Sequence, residues 1–328
     1  MKRALVTGGA GYVGSHTALT LKNLGWKVVI FDDLFRGHSQ ASVGDELIEG
    51  SLNDKELINK VMANNSFDAV LHFAALSYVG ESTEKPAWYY RNNISGGLNL
   101  LEAMVNNGVS ALVFSSTAAT YGEPEEIPIT EDHPKNPINP YGYSKLTFER
   151  MAIDIAQKEN LRPVFLRYFN AAGADPGGGL GEDHTPETHL IPLVIDAALG
   201  RTDHITIFGA DYPTDDGTCI RDYIHVTDLA EAHVKALDYI DKGGEPTAFN
   251  LGSEKGYSVR QVIEMVDKVS GLKTPVKEGE RRIGDPSILV ASAQKAKDLL
   301  GWNPQYSDLE TIVRTAFDWR KKNPGGYA

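Results

Sequence analysis

Tyr141 and Lys145 stand four residues apart, a spacing that stacks both side chains on one face of a helix. A free tyrosine has a pKa of about 10, too high for a base at neutral pH. A lysine cation close by stabilises the phenolate and lowers that value. Such a tyrosine can take the proton of a hydroxyl while a hydride leaves the same carbon. Among 14 tyrosines about one such spacing arises by chance, so the pair alone also fits a solvated helix face. Asn139 and Pro140 precede it, a side-chain cap and a first-turn proline that start a helix there.

Ser115-Ser116-Thr117 follows a short apolar run, Ala111–Ser115, whose end is where ligands of a doubly wound sheet gather. Thr117 can hydrogen-bond and orient the reacting oxygen. A third feature lies near the start of the chain. Gly8, Gly9, Gly11 and Gly14 satisfy both Gly-x-Gly-x-x-Gly and Gly-x-x-Gly-x-x-Gly. Glycines there allow a tight turn, close approach of backbone to a pyrophosphate and helix-to-strand packing. The helix that follows offers free N–H groups to phosphate. An ordinary glycine turn is the plain alternative. Asp32, 18 positions after Gly14, argues for a dinucleotide, since a carboxylate there accepts the ribose hydroxyls and repels a 2′-phosphate. Asp33 adds to it and Arg36 opposes it, a balance that favours NAD over NADP.

These features need a scaffold that brings them to one edge. Lys2–Thr7, Lys27–Phe31, Ala69–Phe73, Ala111–Ser115 and Pro163–Arg167 read as strands. Helices are expected over about Gly11–Leu24, Asp54–Asn65, Ala87–Asn107 and Tyr141–Asn160. Strands alternating with helices predict an α/β fold with a doubly wound parallel sheet of Rossmann type. After Asn170 the texture changes: Asp175–Gly181 reads as a loop, and helices are expected near Leu190–Leu199, Val226–Ile240, Ser258–Val269, Ala293–Leu300 and Leu309–Lys322. This gives an NAD-binding domain over 1–170 and a smaller C-terminal substrate-binding lobe over 171–328, interleaved with the first. No internal repeat is found.

Bulk properties narrow the partners. The 328 residues carry a formal net charge of −12, which argues against nucleic acid and an anionic membrane surface. One cysteine, Cys219, forbids an intrachain disulfide and fits a reducing compartment. No apolar run reaches the length of a membrane span, and the N-terminal apolar run stops at Thr7, too soon for a secretory leader. A cytoplasmic location is expected. No metal-ligand set is read.

Longer runs make the reading specific. Thr7-Gly8-Gly9-Ala10-Gly11-Tyr12-Val13-Gly14-Ser15-His16, Phe73-Ala74-Ala75, Val79-Gly80-Glu81-Ser82, Tyr89-Tyr90-Arg91-Asn92-Asn93, Pro140-Tyr141-Gly142-Tyr143-Ser144-Lys145, Arg167-Tyr168-Phe169-Asn170, Ile207-Phe208-Gly209 and Asp211 to Val226 together resemble the UDP-glucose 4-epimerases of the extended short-chain dehydrogenase family over essentially the whole length. The resemblance implies that Tyr141 deprotonates the sugar C4 hydroxyl while hydride passes to tightly held NAD, that the keto sugar turns over, and that hydride returns to its other face. It implies Thr117 and Lys145 as the other catalytic residues. Cofactor contacts would come from Gly8, Gly11, Tyr12, Val13, Gly14, Asp32, Asp33, Ser51, Leu52, Phe73, Ala74, Ala75, Asn92, Ser115, Tyr141, Lys145 and Phe169. Thr117, Asn170, His189, Leu190, Ile207, Phe208, Arg221, Arg282, Asp285 and Leu289 would hold a UDP-sugar, the arginines on its pyrophosphate.

Some positions depart from the family pattern. Ser51 replaces an Asp that reaches the adenine, Ser77 a lysine near the cofactor, and Thr188-His189 an Asn pair beside the substrate phosphates. Leu289 stands where a tyrosine restricts members to glucose and galactose, which leaves N-acetylated UDP-sugars open. A 4,6-dehydratase would need an Asp-Glu pair after the Thr; Ala118-Ala119 stands there. An epimerase of UDP-glucuronate or UDP-xylose, or a non-catalytic NAD-binding regulator, are the other readings. Leu98, Leu101, Met104, Leu146, Met151 and Ile155 fit either core packing or, as relatives imply, a homodimer interface.

Overall fold

Residues 1–282 and 285–327 are described by a computed structural model. Seven strands form one parallel sheet in the spatial order Thr247–Leu251, Arg162–Tyr168, Ala111–Ser115, Ala69–His72, Arg3–Thr7, Lys27–Asp32, Glu46–Glu49. The strands are near-continuous apolar runs because both faces are covered. Their side chains alternate between two cores. Ala4, Val6, Val28 and Ile30 join Ala18 and Leu21 of the helix Tyr12–Asn23 and Leu229, Ala232 and Leu237 of the helix Val226–Asp241. Leu5, Val29 and Phe31 join Ile58, Leu101, Met104, Phe148 and Ala152 from the helices Lys55–Asn64, Gly96–Asn106 and Pro140–Ala156.

Helix ends follow local chemistry. The first helix stops before Gly25, whose φ of 82° lies in the left-handed region glycine favours. Asn139 accepts the Gly142 N–H at 2.9 Å and Pro140 takes the first turn. The expected single helix over Ala87–Asn107 is three segments: α-helix Pro86–Tyr90, a π-helical turn Arg91–Ser95, and α-helix Gly96–Asn106. Asn93 sits in the widened turn. Its Oδ1 accepts the Leu76 N–H at 2.9 Å, while its Nδ2 donates to the Leu76 carbonyl at 3.0 Å and to Ser144 Oγ at 2.9 Å. That side chain ties the loop after Ala69–His72 to the helix of Tyr141.

Beyond residue 170 the chain alternates between two layers. Asn170–Ala172, Ile220–His225, Gly256–Ser258 and Ile288–Leu289 make a small mixed sheet, and Ile205–Phe208 pairs with Val276–Gly279. A third core joins Ile191, Val194 and Ile195 to Val262, Ile263 and Val266 and to Ile312, Val313 and Phe317. The strand Thr247–Leu251, however, pairs in the large sheet, and the helix Val226–Asp241 packs on one of its faces. A linear division at 170 therefore needs segment 226–251 returned to the first unit. Leu101, Met104 and Leu146 are buried within the chain's own core, whereas Leu98 is exposed.

Candidate active site

All seven strands run the same way, so Thr7, Asp32, His72, Ser115 and Tyr168 end on one edge. The connections reverse direction beside Arg3–Thr7, which opens a crevice there. The glycine turn sits in it. Gly8 has φ +72°, and a Cβ on it would lie 2.4 Å from the Ala74 nitrogen; a Cβ on Gly14 would lie 2.2 Å from the Gly8 carbonyl oxygen. Gly11 caps the helix without a side-chain bond, leaving the first-turn N–H groups, Tyr12 and Val13 among them, for a ligand. Asp32 accepts the N–H groups of Ala10 and Leu34, both at 2.9 Å. Burial raises its carboxyl and those two bonds pull it back. Asp33 is exposed beside it. Arg36 is turned away, held by Glu81 at 3.0 Å and stacked over the Tyr78 ring at 4.2 Å, so it does not await a 2′-phosphate. Glycine cradle, free N–H groups and Asp32 fit NAD.

Other expected contacts line the same crevice. Phe73 and Ala74 hydrogen-bond the Thr7 carbonyl, and Ala75 follows them. Asn92 lies in the π-helical turn. Ser51 and Leu52 follow the strand Glu46–Glu49, with the Leu52 carbonyl accepting from Asn99 at 2.9 Å. Phe169 is half-buried between Tyr168 and Asn170.

Tyr141 sits beside Thr117, whose hydroxyl follows the end of Ala111–Ser115 and accepts the Ala119 N–H at 3.1 Å. Lys145 is 4% exposed; its Nζ donates to the Ser115 carbonyl at 2.8 Å and lies 4.7 Å from the Phe114 ring centre and 5.9 Å from that of Tyr141. The expected depression of the tyrosine by lysine is not present in the protein alone. Burial raises the Tyr141 phenol, and only the Thr117 hydroxyl pulls it down. Burial also pushes the Lys145 ammonium down to about 7, against the pull of the Glu149 carboxylate. The reason is dehydration: a buried cation is itself too costly to charge its neighbour freely.

Sequence reasoning missed what holds this pair. Ser116 Oγ donates to Glu149 at 2.5 Å, Arg167 Nε donates to Glu149 at 2.9 Å, another Arg167 nitrogen donates to the Tyr121 hydroxyl at 2.9 Å, and Tyr121 donates to Asn250 at 2.6 Å. Ser115 Oγ and the Tyr168 hydroxyl share a 2.5 Å bond. Glu149 lies one turn beyond Lys145, a spacing visible in the sequence; Arg167, Tyr121 and Asn250 are brought in by tertiary folding.

The lobe encloses a cavity of about 390 Å³ lined by Asn170, Glu182, His189, Leu190, Phe208, Arg221, Arg282 and Asp285, among others. Arg221 pairs with Asp285 and donates to the Pro286 carbonyl at 2.8 Å. Arg282 stacks over Phe208 at 4.1 Å. Asn170 donates to the Asp222 carbonyl at 2.9 Å. Ile207 is the exception: it is 1% exposed and packs in the lobe core, because strand alternation turns it opposite to Phe208. Leu289 is half-buried on a strand in register with Arg221. Glu182 and His189 at the cavity wall cluster with His184 and Glu187 behind them, with candidate ligand atoms within 4.8 Å of one another. Burial opposes charge on both histidines, yet the two carboxylates outweigh it and raise His184 to about 9 and His189 to about 10. The sequence signal was a doubled Glu-x-His.

The model of the NAD dependent epimerase/dehydratase family matches residues 4–252. The chain belongs to that family. A UDP-glucose 4-epimerase of Halalkalibacterium halodurans is 50% identical over 324 residues, 99% of this chain and 97% of the relative. The crystal structure of UDP-glucose 4-epimerase from Brucella ovis in complex with NAD has a TM-score of 0.95 at 48% identity, covering 97% of this chain and 98% of that one. The UDP-Glc/GlcNAc 4-epimerase of Campylobacter jejuni has a TM-score of 0.86 at 42% identity, covering 98% and 100%. Among the described residues, no helix of this family member is long and apolar enough to cross a membrane.

Proposed function

We propose that this chain is an NAD-dependent UDP-glucose 4-epimerase, interconverting UDP-glucose and UDP-galactose. The observation that carries the reading is Tyr141 beside Thr117 and Lys145, at the end of Ala111–Ser115 on the same sheet edge as the glycine crevice. NAD, when bound, supplies a two-electron acceptor that takes hydride from the sugar C4 and gives it back. Tyr141 Oη takes the C4 hydroxyl proton and later returns it. Thr117 orients the same sugar oxygen. Lys145 supplies a donor and, when protonated, positive charge beside the phenol. Arg221 and Arg282 hold the diphosphate, so the sugar can turn about that anchor and present its opposite face. Ala118-Ala119 offers no second acid–base pair, which disfavours a dehydratase.

Incubation with UDP-galactose and no added NAD should yield UDP-glucose; absence of product with NAD present removes the reading. Leu289 supports a second substrate class, the N-acetylated UDP-sugars, and the likeness to the UDP-Glc/GlcNAc enzyme of Campylobacter jejuni agrees with it. Conversion of UDP-N-acetylglucosamine should fall in Leu289→Tyr while UDP-glucose turnover persists; no conversion by the unaltered enzyme defeats the extension. The chain is also proposed to act as a cytoplasmic homodimer, the exposed Leu98 contributing to the interface; a monomeric mass by light scattering overturns that.

A further inference from the structure

The segment before the helix Leu190–Ala198 carries Glu182, His184, Glu187 and His189, none of which the proposed epimerisation uses to move a proton. Their side chains converge. His184 Nδ1 lies 3.4 Å from Glu182 Oε1 and 3.5 Å from Glu187 Oε2. His189 Nδ1 lies 2.8 Å from Glu182 Oε1 and 3.1 Å from Glu187 Oε1. A tetrahedral zinc ion with ligands near 2.0–2.1 Å separates its ligands by about 3.3 Å. Glu182 Oε1, His184 Nδ1, Glu187 Oε2 and His189 Nδ1 show separations of 2.8, 3.4 and 3.5 Å and all lie within 4.8 Å of one another, so a small closure of the cluster would seat the ion.

Ion pairing alone leaves the arrangement poorly satisfied. The carboxylates of Glu182 and Glu187 are 5% and 8% exposed, yet Glu182 Oε1, Glu187 Oε2 and His184 Nδ1 are buried without a hydrogen-bond partner. The 2.8 Å approach of His189 Nδ1 to Glu182 Oε1 therefore lacks hydrogen-bond direction. Three buried polar atoms turned toward one another without partners are costly unless a cation lies among them. The far oxygen of Glu187 is occupied: its Oε1 accepts the backbone N–H groups of Thr188 at 2.8 Å and His189 at 2.9 Å and also lies in hydrogen-bond contact with His189 Nδ1 at 3.1 Å, a contact that a cation at that nitrogen would replace. Those bonds orient the carboxylate and leave Oε2 as the free ligand atom, the outer-shell support that metal sites use.

We infer that Glu182 Oε1, His184 Nδ1, Glu187 Oε2 and His189 Nδ1 form a four-coordinate site for a divalent transition cation, zinc in preference to calcium or magnesium. Two imidazoles with two carboxylates suit zinc, whereas the harder cations require more oxygen ligands. All four positions are filled by the protein, so the site is structural and activates no water. Its position gives it a task. The ring of His184 meets that of Tyr12, at the glycine turn, edge-on with centres 6.2 Å apart, and Glu182 and His189 line the lobe cavity. A cation there links the dinucleotide crevice to the substrate wall.

The test uses the full-length protein, stripped with a strong chelator and titrated with zinc chloride against a chromophoric zinc indicator. One equivalent per chain should bind, and magnesium should not compete. His184→Ala and Glu187→Gln should each weaken zinc at least a hundredfold while retaining the circular dichroism of the unaltered protein. X-ray absorption on the zinc-loaded unaltered protein needs no variant to fold, and should show only nitrogen and oxygen neighbours at about 2.0–2.1 Å. Failure of the unaltered protein to take up an equivalent of zinc, equal uptake by both variants, or a sulfur neighbour overturns the site. None of these readouts depends on epimerisation, so the metal site and the catalytic reading fail separately.

Discussion

The strand-end site and the lobe cavity treat buried charge in opposite ways. At the strand end, Ser116, Glu149, Arg167, Tyr121 and Asn250 satisfy one another. At and behind the cavity wall, Glu182, His184 and Glu187 keep buried atoms without partners. A closed network holds a catalytic pair in place; an open one is a place for something else to bind. The histidines divide similarly. His16, His72 and His233, packed against the large sheet, and His225 in the lobe's small sheet are held neutral by burial, at about 4, 3, 4 and 3. Without a cation, His184 and His189 are held charged by carboxylates, and a metal ion at their Nδ1 atoms would displace those protons.

That contrast is sharpest against acid. Folded-state values below the ordinary 6.5 mean that the unfolded chain binds protons which the folded chain refuses. Stability from the four neutral histidines is complete above pH 6.5 and is lost as pH falls toward 4. At pH 5 each forfeits about 2 kcal/mol, together about 8 kcal/mol, a large share of the roughly 5–15 kcal/mol that stabilises a folded protein. Circular dichroism should show the melting temperature falling steeply between pH 7 and 5, partly offset by the charged His184 and His189; an unchanged melting temperature over that range contradicts the assignment.

Smaller effects separate the two regions further. Tyr141→Phe should cut kcat about 10²- to 10⁴-fold and leave bound NAD, read by absorbance, in place. Equal loss of the cofactor would make the tyrosine a binding group instead. Glu149→Gln strands a buried guanidinium and should cost about 3–5 kcal/mol in urea unfolding. A neutral result there would show the strand-end network to be dispensable. Arg221→Ala should weaken UDP, measured calorimetrically, by about 10- to 100-fold with NAD content unchanged. UDP affinity that does not move would transfer the diphosphate to other donors.

The residues that could be read in advance share a property. Gly8 to Gly14, Ser115 to Thr117 and Tyr141 with Lys145 are short runs whose geometry is set by one turn or one helix, so type and spacing suffice to place them. The lobe is different. Arg221 and Asp285 meet across 64 positions, and Ile207 and Phe208 are neighbours in sequence that face core and cavity. The long helix over Ala87–Asn107 has the right periodicity, but Asn93 demands a wider turn to reach Leu76 and Ser144. The doubled Glu-x-His was visible as letters, with no local rule to say that its four side chains converge.

By itself the sequence determined the parallel sheet, the phosphate-binding turn and the tyrosine–lysine pair, because strand and helix periodicity and glycine's freedom act over a few residues. Only the tertiary structure decided the burial that raises Tyr141 and lowers Lys145, the Glu149–Arg167 network beneath them, and the gathering of Glu182, His184, Glu187 and His189. Dehydration and charge pairing depend on which distant segments close over a group, and that is a property of the packed molecule.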